Sequence, residues 1–134
     1  RADLIEQVEK VRPPYNISVL NTEAALFALE HADEFARQAE VIKAERERLL
    51  AFLATLPGAR AYPSQANMIL VRVNDAAATF AALKSRGILI KNVSGLHQLL
   101  ANCVRLTVGL PSENDALMAA LAEILREPLT TPSA

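Results

Sequence analysis

The sequence has 134 residues and a mass of 14.5 kDa, which is the size of one ordinary domain. Hydrophobic residues make up 51% and charged residues 22%, a balance that excludes a disordered or collagen-like chain. The 14 Lys and Arg residues are offset by 15 Asp and Glu residues, so the formal net charge is -1, and aromatic residues amount to only 4%. Because binding to nucleic acid or to an anionic membrane surface draws on a basic excess, we expect neither kind of partner.

Cysteine content and the first residues indicate the cellular context. The lone Cys103 cannot form an internal disulfide, which favours a reducing compartment and a cytoplasmic location. No apolar run approaches the ~20 residues that a membrane helix needs, and no stretch at the start resembles a signal peptide. The chain opens with Arg1 instead of Met, and a helical pattern is already under way there. We therefore expect a piece of a longer protein.

Three helices are predicted in the first part of the chain. Apolar residues three and four positions apart indicate a helix over residues 1–11, which the two prolines at 13 and 14 stop. An alanine-rich helix over 22–30 follows, with Asn21 or Thr22 as its N-cap. A longer amphipathic helix covers 33–55, and the Leu-Pro-Gly turn at 56–58 ends it.

Strands and helices alternate in the rest of the chain. Residues 68–73 are almost wholly apolar and partly β-branched, which is typical of an interior strand. A helix over 75–85, capped by Asn74 or Asp75, a short strand over 88–91 and a strand over 103–108 follow. Ser112 and Asp115 resemble the capping box of a last helix that ends near 126. This order predicts an α/β (α+β) two-layer sandwich, in which a small three-stranded, mainly antiparallel sheet has helices packed on one face.

Arg105 is the most informative single residue. It lies in the middle of a strand whose alternate positions, Val104, Leu106 and Val108, are apolar. A guanidinium is always charged, so its burial requires an anionic partner, and its planar fork fits a carboxylate or a phosphate. The pattern alone leaves two interpretations open, an anion-binding residue or an arginine on a solvated or salt-bridged strand face. For Lys91, at the end of the preceding strand, it favours an ordinary surface lysine.

Other reactive residue types do not form a site in the sequence. His31, Asp33 and Glu34 lie together at a helix junction, but they lack the spacing of a metal site. His97 and Cys103 are the right types for a nucleophilic pair, but no acidic residue nearby would orient the histidine. Gly totals only 4, and no glycine-rich phosphate loop is present. We therefore expect no catalytic group and no metal site within this chain.

Several segments, read together, resemble a known enzyme family. Lys-Val-Arg-Pro-Pro-Tyr-Asn-Ile-Ser at 10–18 precedes an alanine-rich helix, and Pro-Ser-Gln-Ala-Asn-Met-Ile-Leu at 63–70 follows the Leu-Pro-Gly turn. Gly-Ile-Leu-Ile-Lys at 87–91 is followed by Val-Arg-Leu-Thr-Val-Gly at 104–109 and by Ser-Glu-Asn-Asp at 112–115. In order and spacing, these segments are similar to the C-terminal part of the histidinol-phosphate aminotransferases, which are pyridoxal-phosphate enzymes of fold type I.

The resemblance implies an activity and a set of substrate-binding residues. The full-length protein would move an amino group from glutamate to imidazole-acetol phosphate, giving histidinol phosphate and 2-oxoglutarate. Arg105 matches the family arginine that binds the anionic end of the substrate, most plainly the carboxylate of the amino-acid donor. Lys91 matches a position that is often arginine in the family, where it helps to hold the substrate phosphate. Tyr15 and Asn16 match the turn of the Pro-Tyr-Asn motif, and we expect them to give structural support near the site.

The same resemblance implies that the cofactor contacts lie elsewhere. The Schiff-base lysine, the aspartate that pairs with the pyridine nitrogen and the residues that hold the cofactor phosphate are expected upstream of Arg1. We therefore expect no cofactor-binding residue in this chain, and neither productive binding of pyridoxal phosphate nor transamination by this polypeptide alone.

Domain organisation and partners also follow from the resemblance. Residues 1–16 are expected to be the end of an inter-domain helix with a Pro-Pro linker, 17–127 the small C-terminal domain, and 128–134 a tail. The implied partners are a phosphorylated amino-acid-type substrate, glutamate, a large domain and a second subunit in a homodimer. Two alternatives stay open: another class I or II aminotransferase or an enzyme like the threonine-phosphate decarboxylases, and a stand-alone α/β interaction module without catalysis.

Overall fold

The computed structural model describes residues 1–13 and 17–126, and only the backbone of Arg126. The helices are α1 (Ala2–Glu9), α2 (Val19–Glu30), α3 (Ala32–Leu53), α4 (Ala76–Ser85) and α5 (Pro111–Arg126), and the strands are β1 (Arg60–Ala61), β2 (Met68–Arg72), β3 (Lys91–Asn92) and β4 (Cys103–Thr107). Two compact units are present, Arg1–Gln38 and Ala39–Ala134. Tyr15, Asn16 and the tail over 128–134 lie outside the described residues, so what the sequence predicts for them stays a prediction.

The strands of the second unit form one antiparallel sheet in the order β1-β2-β4-β3. The predicted fold class is confirmed, but the expectation of three strands was one strand short. The additional strand is β1, which has only two residues and pairs Arg60 with Arg72 and Ala61 with Val71. A strand so short leaves no alternating pattern by which a sequence could reveal it.

One face of this sheet forms the hydrophobic core together with α3, α4 and α5. The strands contribute Ile69, Val71, Val104 and Leu106, each at most 1% exposed. The helices contribute fully or nearly buried side chains, which are Leu49, Leu53, Ala76, Leu83, Leu117, Ala120 and Leu121. Full burial of a side chain the size of leucine contributes about 1.5–3 kcal/mol, so this layer supplies much of the stability. The helices thus lie against one face, and the opposite face of the sheet is available for other contacts.

The second predicted strand, 88–91, lies too far toward the N-terminus: the observed strand, β3, is Lys91–Asn92. Regular pairing is restricted to Lys91 and Asn92, which lie opposite Arg105 and Val104. The apolar residues before it follow the end of α4, where the Ile88 amide donates to the Leu83 carbonyl at 3.0 Å. Ile90 is buried in the core, whereas Leu89 is 78% exposed. The apolar run therefore reflects packing of a loop against the helices and not the length of a strand.

The N-cap of α4 agrees with the sequence prediction, whereas the starts of α2 and α5 differ from it. Asp75 caps α4 as predicted, because its carboxylate accepts hydrogen bonds from two backbone amides at 2.9 Å. α2 begins earlier than predicted, at Val19, because the Ser18 hydroxyl accepts from the Asn21 amide and is the actual N-cap. The expectation of Asn21 or Thr22 as cap was therefore wrong.

The start of α5 also differs from the predicted capping box. The helix already begins at Pro111, a residue well suited to the first helical position because it has no amide hydrogen to satisfy. The Glu113 carboxylate, not a side chain of the predicted pair, accepts from the Leu110 amide at 2.8 Å. Asp115 instead binds Arg48 on α3. Ser112 is exposed and is not the N-cap.

The first unit, described by itself, is unusual for its exposed apolar side chains. Neither α1 nor α2 buries a residue. Large apolar side chains that are at least 46% exposed occur throughout residues 1–38, and they include Leu4, Ile5, Val8, Val11, Ile17, Val19, Leu20, Leu26, Phe27, Leu29 and Phe35. Among the helices of the described residues, none combines the length and the hydropathy that a bilayer crossing requires.

Candidate anion-binding site

Two cations stand side by side on the face of the sheet that the helices leave uncovered. Lys91 on the edge strand β3 is the direct cross-strand partner of Arg105 on β4. Directly opposed residues of an antiparallel pair project to the same face, with Cβ atoms about 4.5–5.5 Å apart. Leu70 on β2 lies on the other side of Arg105. The ladder therefore places an apolar side chain, a guanidinium and an ammonium in one row.

Neither cation has a counter-ion among the described residues. The salt bridges and side-chain hydrogen bonds of this part of the chain include none from Arg105 or Lys91. Arg105 is half-buried, and its Nε is buried without a hydrogen-bond partner within residues 1–13 and 17–126. An unpartnered buried donor is costly, and like charges directly opposite each other repel. An anion bound between the two cations would offset their repulsion and could accept hydrogen bonds from both of them.

The pair lines an open pocket of about 480 Å³. Its lining combines the two cations with two polar residues and an apolar group, namely Arg105, Lys91, Asn92, Thr107, Phe80, Leu89 and Ile90. Apolar walls beside a cation lower the local dielectric and strengthen its attraction for an anion. The pocket thus has the composition of a site for a small molecule that carries an anionic group next to an apolar part.

The same face carries two more cations and a buried thiol. Arg60 on β1 is paired with Arg72 on β2, and Arg72 is paired with Cys103 on β4. Arg60 also lies over the ring of Tyr62, with its Cζ 5.3 Å from the ring centroid. Cys103 is fully buried, although alternation puts it on the outer face, because the connection after β3 folds over it: its Sγ lies 3.7 Å from the Ala101 carbonyl oxygen.

A buried polar network fixes the turn that follows β4. The Asn114 side chain, 1% exposed, accepts from the Gly109 amide and donates to the Gly109 carbonyl, both at 3.0 Å. It also donates to the Glu45 carboxylate on α3 at 2.7 Å. Arg48 contacts the same carboxylate at 2.7 Å and Asp115 at 2.6 Å. The strand that carries Arg105 is therefore tied to two helices immediately beyond its end.

This network also changes the titration of its charged members. Hydrogen bonds from Arg48 and then from Asn114 lower the pKa of the Glu45 carboxyl below its ordinary value. The carboxylates of Glu45 and then Asp115 raise the pKa of Arg48. This network of Glu45, Arg48, Asn114 and Asp115 was not predicted from the sequence. One signal for its burial was available: Asn114 lies three and seven positions before the core residues Leu117 and Leu121, so it is on the same helical stripe.

The remaining reactive residues of the sequence have structural contacts. His97 caps a 3₁₀ turn, where its Nδ1 accepts from the Leu99 amide at 3.1 Å. His31 ends α2 with its ring stacked on Phe27 at 4.1 Å between centroids. No group of three or more metal-ligating side chains occurs in residues 1–13 and 17–126. Of the candidate site residues, the structure brings together Arg105 and Lys91.

Comparisons with known proteins fit this geometry. The family model described as aminotransferase class I and II matches residues 1–121. A histidinol-phosphate aminotransferase of Methylibium petroleiphilum is 68% identical over 122 residues, which are 91% of this chain and 33% of that protein. The chain thus spans about a third of the length of this curated relative.

Solved structures of related enzymes share the fold. A histidinol-phosphate aminotransferase of Sinorhizobium meliloti, in complex with pyridoxal-5'-phosphate, matches with a TM-score of 0.69 and 28% identity, over 90% of this chain and 33% of that one. An L-threonine-O-3-phosphate decarboxylase of Porphyromonas gingivalis matches with a TM-score of 0.75 and 25% identity, over 95% of this chain and 40% of that one. The sequence match, the antiparallel sheet with helices on one face and the strand arginine agree, and the chain belongs to the aminotransferase class I and II family.

Proposed function

We propose that the full-length protein is a histidinol-phosphate aminotransferase and that this chain binds the anionic part of its substrates. The assignment is supported by the 68% identity to a relative with that name over 91% of the chain. The reaction would transfer an amino group from glutamate to imidazole-acetol phosphate and give histidinol phosphate and 2-oxoglutarate.

One structural observation supports the role in substrate binding above all others. The half-buried guanidinium of Arg105 has a buried Nε without a partner among the described residues and lies opposite a second cation, Lys91, in the same pocket. A guanidinium binds a planar carboxylate through two parallel hydrogen bonds, whereas an ammonium acts as a point charge. We assign the amino-acid carboxylate to Arg105 and assign to Lys91 a charge contact with a phosphate or a second carboxylate.

Pyridoxal phosphate is the cofactor of this family, and it supplies the electron sink for amino transfer. The residues of this chain do not fit its binding. A lysine that forms an imine is activated by a lowered pKa, for which burial is the usual cause. All of the lysines in the sequence, Lys10, Lys43, Lys84 and Lys91, are exposed. In our proposal this chain therefore binds and orients substrate, and the cofactor is held by other parts of the full-length protein.

The proposal includes a domain arrangement and a location. Residues 17–127 would form the small domain, with 1–16 leading into it from a large domain and 128–134 as its tail. The exposed apolar side chains of residues 1–38 support a covering partner, for which we propose the large domain and a second subunit of a homodimer. Tyr15 and Asn16 are proposed as structural support near the site. The single cysteine, which is free, favours a cytoplasmic location.

The test is a steady-state assay of the full-length protein with glutamate and imidazole-acetol phosphate. We expect turnover in the wild type. We expect kcat/KM to fall by about thirtyfold or more in Arg105→Gln, since losing one partner of a buried charge interaction costs roughly 2–5 kcal/mol. The matched control is Arg86→Gln, an exposed arginine outside the pocket. Turnover that is equal in both variants, or no turnover in the wild type, would contradict the proposal.

A second candidate function is decarboxylation of a phosphorylated amino acid. It is favoured by the structural match to the L-threonine-O-3-phosphate decarboxylase, at a TM-score of 0.75. Both reactions require a site for an anionic amino-acid substrate, so the presence of Arg105 and Lys91 does not distinguish decarboxylation from amino transfer. The reaction products distinguish the two activities. Release of carbon dioxide from threonine phosphate without formation of 2-oxoglutarate would replace the aminotransferase assignment.

A further inference from the structure

Arg72 lies beside the cationic pair but outside its pocket. It is the last residue of β2 and is paired with Cys103, two positions before Arg105 on β4, so it projects from the same face. Its Nη2 donates to the Leu99 carbonyl at 2.7 Å, across 27 residues of sequence. Its Nε is buried and has no hydrogen-bond partner among the residues described. The neighbouring side chains of Cys103 and then Tyr62 raise the pKa of Arg72.

Leu99 belongs to the connection 93–102, which leads from the strand of Lys91 to the strand of Arg105. At its start, the Val93 amide donates to the Cys103 carbonyl at 3.1 Å, and the Ser94 hydroxyl donates to the same oxygen at 3.3 Å. At its end, the Val73 amide donates to the Asn102 carbonyl at 2.9 Å. Between these two ends, the connection is also held by the hydrogen bond that the Arg72 side chain on β2 donates to the Leu99 carbonyl.

The position of Lys91 depends on this connection because its own strand is so short. β3 consists of two residues and pairs only with β4. A change of register by one residue turns every side chain of a strand to the opposite face, and a two-residue ladder opposes such a change weakly. Contacts that fix the following connection therefore also fix the distance between the ammonium of Lys91 and the guanidinium of Arg105.

We propose that Arg72 is a positioning residue for the substrate-binding pair: by holding the connection 93–102 through Leu99, it keeps Lys91 opposite Arg105. Arg72 itself contacts no substrate in this proposal. The inference rests on the proposed anion-binding function of the pair, and it adds a residue that acts on substrate affinity through Lys91.

A double-mutant cycle in the full-length protein tests the proposal. KM for imidazole-acetol phosphate at saturating glutamate, and kcat, are measured for Arg72→Met with Lys91 intact and with Lys91→Ala. We expect Arg72→Met to raise KM about tenfold when Lys91 is present, with kcat changed less than twofold, and to change KM less than twofold when Lys91 is absent. Arg72→Lys, which keeps the charge and a donor, should recover part of the affinity. Arg86→Met, at an exposed arginine of the same domain, should change neither constant.

Backbone hydrogen exchange gives a readout that does not depend on activity. We expect faster exchange of amides within 94–101 in Arg72→Met and not in Arg86→Met. An equal effect of Arg72→Met in both Lys91 backgrounds, or unchanged exchange in the connection, would overturn the inference and identify Arg72 as an ordinary structural residue. The outcome is separable from the proposed function: if Arg105→Gln leaves turnover intact, the function fails, whereas a strong Arg105 effect without Lys91-dependent coupling to Arg72 refutes only the positioning role.

Discussion

Lys91 and Arg105 are direct cross-strand partners on the uncovered face of the sheet, and no carboxylate among the described residues pairs with either of them. A like-charge pair at this position works against folding, which supports the proposal that the pair binds an anion. In the proposed site, the two positive charges gain a counter-ion only when an anionic ligand is bound. Stability and ligand binding should therefore respond in opposite directions to removal of one charge.

Removing the ammonium should stabilise the unliganded protein. We expect Lys91→Gln to raise the free energy of unfolding by about 0.2–1 kcal/mol at low salt, because like charges directly opposite each other in a sheet repel. The gain should shrink at high salt, where exposed charges are screened. Urea denaturation at two salt concentrations measures both effects.

Lys84→Gln is the matched control for this substitution. Lys84 is an exposed lysine in the last turn of α4, where a cation interacts favourably with the helix dipole. Its replacement should lower the free energy of unfolding slightly. A gain of the same sign and size in both variants would show that repulsion by Arg105 is not the cause.

Asn114→Ala should destabilise the fold strongly, although it replaces a polar residue. It removes both hydrogen bonds to the Gly109 peptide and the donor to Glu45, all in a nearly solvent-free position. Unsatisfied buried groups cost about 1–3 kcal/mol each, so we expect a loss of at least that size in urea denaturation. Ser112→Ala, on the same helix but exposed, should cost less than about 0.5 kcal/mol. Equal losses in the two variants would contradict the conclusion that the buried hydrogen bonds of Asn114 stabilise the fold more than the exposed Ser112 does.

Acid should weaken the protein partly through Glu45. Its pKa is lower in the folded protein than in the unfolded chain, where the ordinary value is about 4.3. The stabilisation is therefore fully present above that unfolded value and is lost as the pH falls through the lower folded value. Glu45→Gln cannot titrate, so its free energy of unfolding should depend less steeply on pH over this acidic range. Parallel curves for the wild type and Glu45→Gln would exclude this contribution.

The polypeptide of residues 1–134 should self-associate when it is produced alone. The apolar side chains exposed on α1 and α2 offer the surface for it, and light scattering at increasing concentration measures it. Replacing Leu20 and Phe27 on α2 together by serine should reduce the association. Leu89→Ser is the control, since Leu89 is also exposed but lies in the second unit. A strict monomer at high concentration would be evidence against an interaction surface on these helices.

The sequence predicts this fold well where long segments bear a clear periodicity. The β2 and β4 strands and the long α3 helix were placed within one or two residues, because their apolar patterns extend over several residues. Two-residue strands such as β1 carry no such pattern. Arg105 could be singled out as a charge in an apolar strand, and Lys91 could be identified only through the family resemblance. The pairing of the two could not be predicted, because the register that sets Lys91 opposite Arg105 depends on the tertiary packing of the preceding loop.

Both open edges of the sheet carry a charge. β1 and β3 are the outermost strands, and they begin with Arg60 and Lys91. Exposed strand edges invite pairing with another sheet, and a charged side chain on a very short edge strand discourages it. Lys91 thus has a structural consequence that is separate from the substrate binding proposed for it. Replacing it by an apolar residue would remove the protection of that edge and favour aggregation by sheet extension, a different route from association through the helices.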